Sequence, residues 1–317
     1  MIRAALALMA SAAVLSSVPE PGTVTLDEAT TLILGGFHPG RQPDGNSVMI
    51  AGEQGVLVVD TGRHAAHTAV IERAIAATGK PLVAIVNTHW HLDHVSGNLR
   101  LKAVWPQARV SASDAIDGAL TGFLKSSAEG ARAALAAGRL PDEVAEEVRG
   151  DLATYARGSE LRPDDVVIQS GTITTLGRPL ELRLAKRAAT AGDVWVYDPQ
   201  ARRAIVGDLV TLPAPFLDTA CPDGWRKALG EIAATPFRTL VPGHGAVLDR
   251  TGFAAWRSAF GRFLDCAEGE TSPAECGAGW ARDLGDLLPA GDRARAERMA
   301  IAYINTIRAG GLKQNCA

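Results

Sequence analysis

The run Thr88-His89-Trp90-His91-Leu92-Asp93-His94 places three imidazoles and a carboxylate within six residues of a chain that has only seven histidines. Imidazole nitrogen and carboxylate oxygen are donors that suit zinc. Residues two apart on an extended loop point the same way, so His89 and His91 can share one ion. Asp93 and His94 fall where a helix begins and can turn towards a second ion. A solvated polar loop or a helix cap explains the cluster poorly, because so many donors follow directly on a buried strand.

That strand is the continuous apolar run 83–86, as expected of a strand covered on both faces. It is preceded by a strand at 56–59 and by a helix over 68–78, with apolar residues at helical spacing and a stop at Gly79. Strand, helix, strand in that order implies a crossover unit and an α/β architecture. Two earlier strands read at 31–34 and 47–50. Residues 113–158 are Ala-rich, charged and helical, interrupted by Pro141, and read as a helical insertion over one face. Strands return at 166–168, 173–176, 180–184, 194–197 and 204–206, followed by a helix at 224–234, a strand at 239–241 and helix from Phe253. Two rounds of strands then helices predict a four-layer αβ/βα sandwich with helices outside, as one domain over 23–317.

The chain has 317 residues, 47% hydrophobic and 21% charged, with net charge -3. So apolar and nearly neutral a chain is not disordered. Its 32 basic and 35 acidic residues argue against a nucleic-acid partner. Arg3, a short apolar run and small residues ahead of Pro19 and Pro21 suit a cleaved secretory signal over 1–17. The run falls short of the roughly 20 apolar residues a membrane helix needs. The expectation is a periplasmic or secreted protein with no stable membrane insertion after cleavage. Four cysteines agree with an oxidising compartment. Three pairings are formally open. Cys266 and Cys276 bracket a Gly- and Pro-containing loop and invite a local bridge, with Cys221–Cys316 pinning the C-terminal tail. The absence of a C-x-x-C pair weakens a zinc-thiolate reading.

With these motifs the chain resembles the metallo-β-lactamase superfamily, whose H-x-H-x-D-H signature is matched by His89, His91, Asp93 and His94. The resemblance runs through nearly all of the mature chain. Val58-Val59-Asp60-Thr61-Gly62 is similar to the strand and turn before that signature, which implies that Asp60 buttresses the ligands from behind. Val206-Gly207-Asp208-Leu209 is similar to the strand end that supplies a metal-bridging carboxylate, and Val241-Pro242-Gly243-His244-Gly245 to the loop that supplies the last histidine. Either short motif alone is weak. Their order after His94, each at the end of an apolar strand, makes the combination specific.

One departure stands out. The family usually carries H-T-x-G-D, whereas this chain reads Ala189-Thr190-Ala191-Gly192-Asp193. A methyl group cannot ligate a metal. The resemblance therefore implies one incomplete group, His89, His91 and Asp208, and one complete group, Asp93, His94, Asp208 and His244. Three accounts follow. One zinc is held tightly and the second site is weakened; or another histidine substitutes, His64 ahead of His67 and His38; or hydrolysis is lost and the fold serves binding. The first ranks highest because the other inherited ligands persist.

The activity implied is hydrolysis by zinc-activated water, with Asp93 or Asp208 orienting that water and taking its proton. Asp208 resembles the glyoxalase II-like hydrolases and lactonases, since class B β-lactamases usually carry cysteine or serine there. The expected small-molecule substrate is a carbonyl ester, lactone, thioester or lactam. A β-lactam hydrolase and a non-catalytic periplasmic binding or accessory protein are the alternatives. Trp90 reads equally as a pocket wall or as buried core, and the Gly-rich stretch 35–40 reads first as an ordinary loop and second as a flap over the substrate.

Overall fold

The computed structural model describes residues 21–38 and 41–316; the segment read as an export signal lies outside them. Two sheets stack face to face. The first takes its seven strands in chain order: β1 (Thr23–Asp27), β2 (Thr30–Ile33), β3 (Ser47–Gly52), β4 (Gly55–Val59), β5 (Leu82–Val86), β6 (Arg109–Ala112) and β7 (Asp165–Val166). Pairing is antiparallel from β1 to β4 and parallel from β4 to β7. The second sheet has six strands in the order β13-β12-β11-β10-β9-β8. They span β8 (Gly171–Ile173), β9 (Leu180–Lys186), β10 (Gly192–Asp198), β11 (Arg203–Thr211), β12 (Thr239–His244) and β13 (Leu248–Asp249).

The helices are α1 (Ala65–Ala77), α2 (Leu92–Val95), α3 (Asn98–Val104), α4 (Ala115–Thr121), α5 (Phe123–Ala136), α6 (Asp142–Ala156), α7 (Pro222–Ala234), α8 (Arg250–Glu268), α9 (Pro273–Leu284) and α10 (Arg293–Arg308). The two-residue period of β4 explains how they stack. Val56 and Val58 point out to Val70, Ile71 and Ile75 of α1, while Leu57 and Val59 point in towards Val194, Val196, Ile205 and Val241 of the facing sheet. The second sheet's outer face packs on α7 to α10 around Trp195, Trp225, Trp256 and Trp280, all fully buried. Three of those indoles donate to carbonyls at the end of β11 and just beyond it: Trp225 to Leu209, Trp256 to Thr211 and Trp280 to Pro213, each at 2.9 Å. The layers run helix, sheet, sheet, helix, which is the predicted sandwich.

Local departures have plain causes. The exposed edge strand β1 carries little pattern and is not legible as a separate element. The expected strand 173–176 becomes the shorter β8 followed by a turn, in which the Gly177 amide donates to Thr174 O at 2.9 Å. The expected strand 166–168 pairs only as Asp165–Val166. Within 113–158 the chain breaks near Pro141, as the sequence indicates, and also at Gly122. Both expected disulfides are present, Cys221–Cys316 and Cys266–Cys276. Among the described residues no helix is long and apolar enough to cross a membrane.

For the site, one consequence matters. β4 and β5 run parallel in one sheet, and β11 and β12 run parallel in the other. Crevices at the carboxyl ends of parallel strands are the usual binding places in α/β sheets. Asp60 follows β4, the histidine motif follows β5, Asp208 lies in β11 and His244 ends β12.

Candidate metal centre

Asp60 has φ of 58°, a left-handed backbone that is strained for a residue other than glycine. The turn aims its carboxylate beneath the motif loop. Oδ1 accepts from the Thr88 amide at 2.7 Å, and Oδ2 accepts from Thr88 Oγ1 at 2.7 Å and from His94 Nδ1 at 2.8 Å. Thr88 has one hydroxyl proton, and Asp60 takes it. At the 3.0 Å contact between Thr88 Oγ1 and His89 Nδ1 the ring nitrogen is therefore the donor. His89 is held neutral by burial, reinforced by His94 and His91, and so presents an unprotonated Nε2 on its other side. A second buried set braces the loop from behind: Thr61 Oγ1 donates to Asn98 Oδ1 at 2.9 Å, and Asn98 Nδ2 to Asn87 Oδ1 at 2.6 Å.

The donors converge in two groups around Asp208. His89 Nε2 lies 2.9 Å from His91 Nδ1 and 3.6 Å from Asp208 Oδ2. His94 Nε2 lies 3.2 Å from Asp208 Oδ1 and 3.6 Å from Asp93 Oδ2, and His244 Nε2 lies 3.0 Å from Asp93 Oδ2. Asp208 thus offers one oxygen to each group, as a bridging carboxylate must. His89, His91 and Asp208 can hold one ion; Asp93, His94 and His244 can hold another. All six side chains are buried. His94 Nε2 and Asp208 Oδ1 are buried without a hydrogen-bond partner, which burial penalises unless a cation supplies the missing interaction. The donor set therefore fits a metal.

Glycine is required at two positions here. A Cβ on Gly207, with φ of 52°, would lie 2.3 Å from Thr88 Oγ1, and one on Gly243 would lie 2.0 Å from Asp208 Oδ1. Either would displace a group that sets the donor geometry.

Charge completes the picture. Burial works against an ionised Asp93, but His94, His244 and Arg63 outweigh it and hold the carboxyl well below its ordinary range. Asp208 is likewise lowered, its burial outweighed by His94, His244 and His89. Burial opposes a charge on His94 too, yet Asp208, Asp93 and Asp60 raise it well above an ordinary imidazole. Carboxylates that favour a proton there also favour a metal cation in its place. His91, held neutral mainly by burial, falls to about 4.

Other sequence candidates lie elsewhere. Both ring nitrogens of His64 are engaged, Nδ1 with Asp44 Oδ2 at 2.8 Å and Nε2 with Glu147 Oε2 at 2.8 Å. The placement of His64 as substitute ligand is thus corrected: it ties the insertion helix α6 to the N-terminal loop. His67 is buried against Ser47 Oγ at 2.9 Å. No other histidine joins the group of His89 and His91 among the described residues. In the Gly-rich stretch, Phe37 rather than His38 meets the site, its ring centroid 5.1 Å from that of His244. Trp90 does line the cleft, which measures about 260 Å³. Its further apolar walls are Phe37, Phe123, Phe216 and Met299. Arg63, which no motif signals, lines the cleft 3.7 Å from Asp93 and donates to Asp151 Oδ1 at 2.6 Å.

Comparison with known proteins places this geometry in a family. The metallo-beta-lactamase superfamily model matches residues 40–244. The chain belongs to that superfamily. Among solved structures it is similar to a metallo-beta-lactamase from Pontibacter korlensis, at 19% identity and TM-score 0.56, over 76% of this chain and 99% of that one. A metallo-beta-lactamase from Hirschia baltica aligns at 18% identity and TM-score 0.52, over 76% and 97%. At such identities the likeness is one of fold. Among curated relatives, a hydroxyacylglutathione hydrolase of Synechococcus sp. (strain JA-3-3Ab) is 52% identical over 48 residues, 15% of this chain and 19% of its own length. Another, from strain JA-2-3B'a(2-13), is 47% identical over 53 residues, 17% and 21%. The matched segment is thus about a fifth of those relatives.

Proposed function

We propose that this protein is an exported zinc hydrolase that opens a carbonyl ester, lactone or thioester with water, holding one ion tightly among Asp93, His94, Asp208 and His244. The observation that carries the reading is the buried convergence of His94 Nε2 and Asp208 Oδ1, 3.2 Å apart, with Asp93 and His244 around them. Zinc, when bound, would supply Lewis acidity and lower the pKa of water to about 7. The chain's own residues do the rest. Asp208 and Asp93 line the cleft, and in this reading they orient the water and accept its proton. His94 is fixed from behind by Asp60, so its metal-facing nitrogen needs no reorientation. The walls of Phe37, Trp90, Phe123 and Phe216 exclude bulk water and seat an apolar acyl group. Arg63 has its charge met by Asp151 and Asp93 and offers little to a polyanionic substrate.

The weaker binding at His89 and His91 follows from Ala189 standing where the family places a histidine. Export is supported by the apolar N-terminal run and by two disulfides in a chain without free cysteine among its described residues. The test is turnover with added zinc on a panel of neutral lactones, thioesters including hydroxyacylglutathione, and β-lactams, with and without chelator. Chelator-sensitive hydrolysis of neutral lactones or thioesters is expected. Zinc binding without turnover on any member would instead favour a binding or accessory protein.

A further inference from the structure

The loop between β11 and α7 carries a side chain that no motif marks. Thr219 Oγ1 donates to the backbone carbonyl of Ala189 at 3.0 Å and lies 3.1 Å from His91 Nε2. A hydroxyl has a single proton, and here a carbonyl, which can only accept, takes it. Towards His91 the same oxygen can therefore only accept. A neutral His91 must carry its proton on Nε2, which leaves Nδ1 unprotonated and facing His89 Nε2 at 2.9 Å. Thr88 imposes the matching choice on His89 from the opposite side. Two lone pairs then point at each other across 2.9 Å, an arrangement that a cation between them relieves.

We infer that Thr219 is the positioning residue for His91, fixing the tautomer that offers Nδ1 to a metal and partly compensating for the missing imidazole at Ala189. The residue whose carbonyl holds Thr219 is Ala189 itself. The segment around Thr219 is pinned on several sides. The Cys221 amide donates to Ala188 O at 2.9 Å, and Asn315 Nδ2 donates to Asp218 O at 3.3 Å and Ala220 O at 3.2 Å. The Cys221–Cys316 disulfide then fastens the C-terminal tail to this loop. Turning the hydroxyl round to donate to His91 would withdraw its proton from a buried carbonyl, which burial penalises. Phe216, whose ring centroid lies 4.9 Å from that of His91, restricts the imidazole from a second side.

The inference rests on the metal-site reading, and its test separates the two. Nitrogen-15 NMR of the metal-free protein reads the tautomer of His91 directly, and a cobalt(II) titration reads uptake at each group. In the wild type, His91 is expected to be protonated on Nε2. Thr219→Val is expected to populate the other tautomer and to weaken the second, looser cobalt phase by about 10- to 100-fold, the usual cost of removing a partner behind a ligand. The first, tighter phase stays unchanged, which a merely structural disruption would not allow. Thr219→Ser keeps the hydroxyl and retains the wild-type tautomer and both phases. A wild-type His91 protonated on Nδ1 would overturn the inference, as would a folded Thr219→Val protein with unaltered tautomer and cobalt binding. If the wild type takes up no cobalt the hydrolase reading falls, while the tautomer still decides the role of Thr219.

Discussion

The two donor groups that share Asp208 are built to different standards. Asp93 and His94 come from α2 and His244 from the end of β12, and with Asp208 they make four donors. Their central imidazole is held from behind by a carboxylate that itself receives three hydrogen bonds. The other group has only His89 and His91 beside the shared carboxylate, each backed by a threonine hydroxyl. A charged acceptor makes a stronger hydrogen bond than a neutral one and raises the basicity of the imidazole it supports. Affinity for an ion thus depends on the number of donors and on what stands behind each one. On both counts the group around His94 is the stronger.

Substitutions should expose that asymmetry, beginning with the largest effects. Asp208→Ala removes a donor from both groups, and the expected result is loss of bound zinc and of hydrolysis to background, read by metal analysis and turnover on the purified protein. His94→Ala should lose the tightly held ion, whereas His89→Ala should retain it. Equal zinc loss in the two variants would erase the distinction drawn between the groups. Asp60→Asn replaces one accepting oxygen with a donor facing Thr88 and His94, and should weaken the tight site by about 10- to 100-fold. Ala189→His should sharpen the comparison from the other direction, raising zinc content from one tightly held ion towards two. Unchanged stoichiometry in a folded Ala189→His protein would mean that this loop does not stand where the family places its histidine.

A separate effect concerns stability and bears on His67, which bonds Ser47 beside the site. Burial lowers His67 to about 4, with Asp44 opposing. Its folded value lies below the unfolded one, so between pH 6.5 and 4 the unfolded chain binds a proton that the folded chain refuses. The stability involved is fully present above pH 6.5 and is lost as pH falls towards 4. His67→Gln should flatten the pH dependence of unfolding in that window by up to one proton, about 1.4 kcal/mol per pH unit. Parallel curves for the two proteins in urea would contradict this.

The candidate ligands are legible in the sequence because the chemistry is concentrated there: His89, His91, Asp93 and His94 fall within six residues directly after an apolar strand, and Asp208 and His244 each follow an apolar run. The sandwich was legible because apolar runs such as 83–86 alternate with helical spacing. What could not be read depends on approach between distant segments. Thr219 meets His91 across 128 residues, and Glu147 meets His64 across 83. No local pattern announces either contact, and that is why His64 looked available as a ligand. Phe37, Phe216 and Met299 wall the cleft for the same reason. They are ordinary apolar residues until the fold brings two loops and α10 together. The break near Pro141 is legible and the one at Gly122 is not, since a proline is excluded from a helix interior and a glycine only weakens it.

The central claim is that Asp208 joins a strong donor group to a weaker one. Crystals of the wild-type protein grown with limiting zinc, measured at the zinc absorption edge, test it most directly. The expected anomalous map has a strong peak among Asp93, His94, Asp208 and His244, with a fainter peak, or none, between His89 and His91. Equal peaks at both groups, or a single peak on the His89 side, would contradict it.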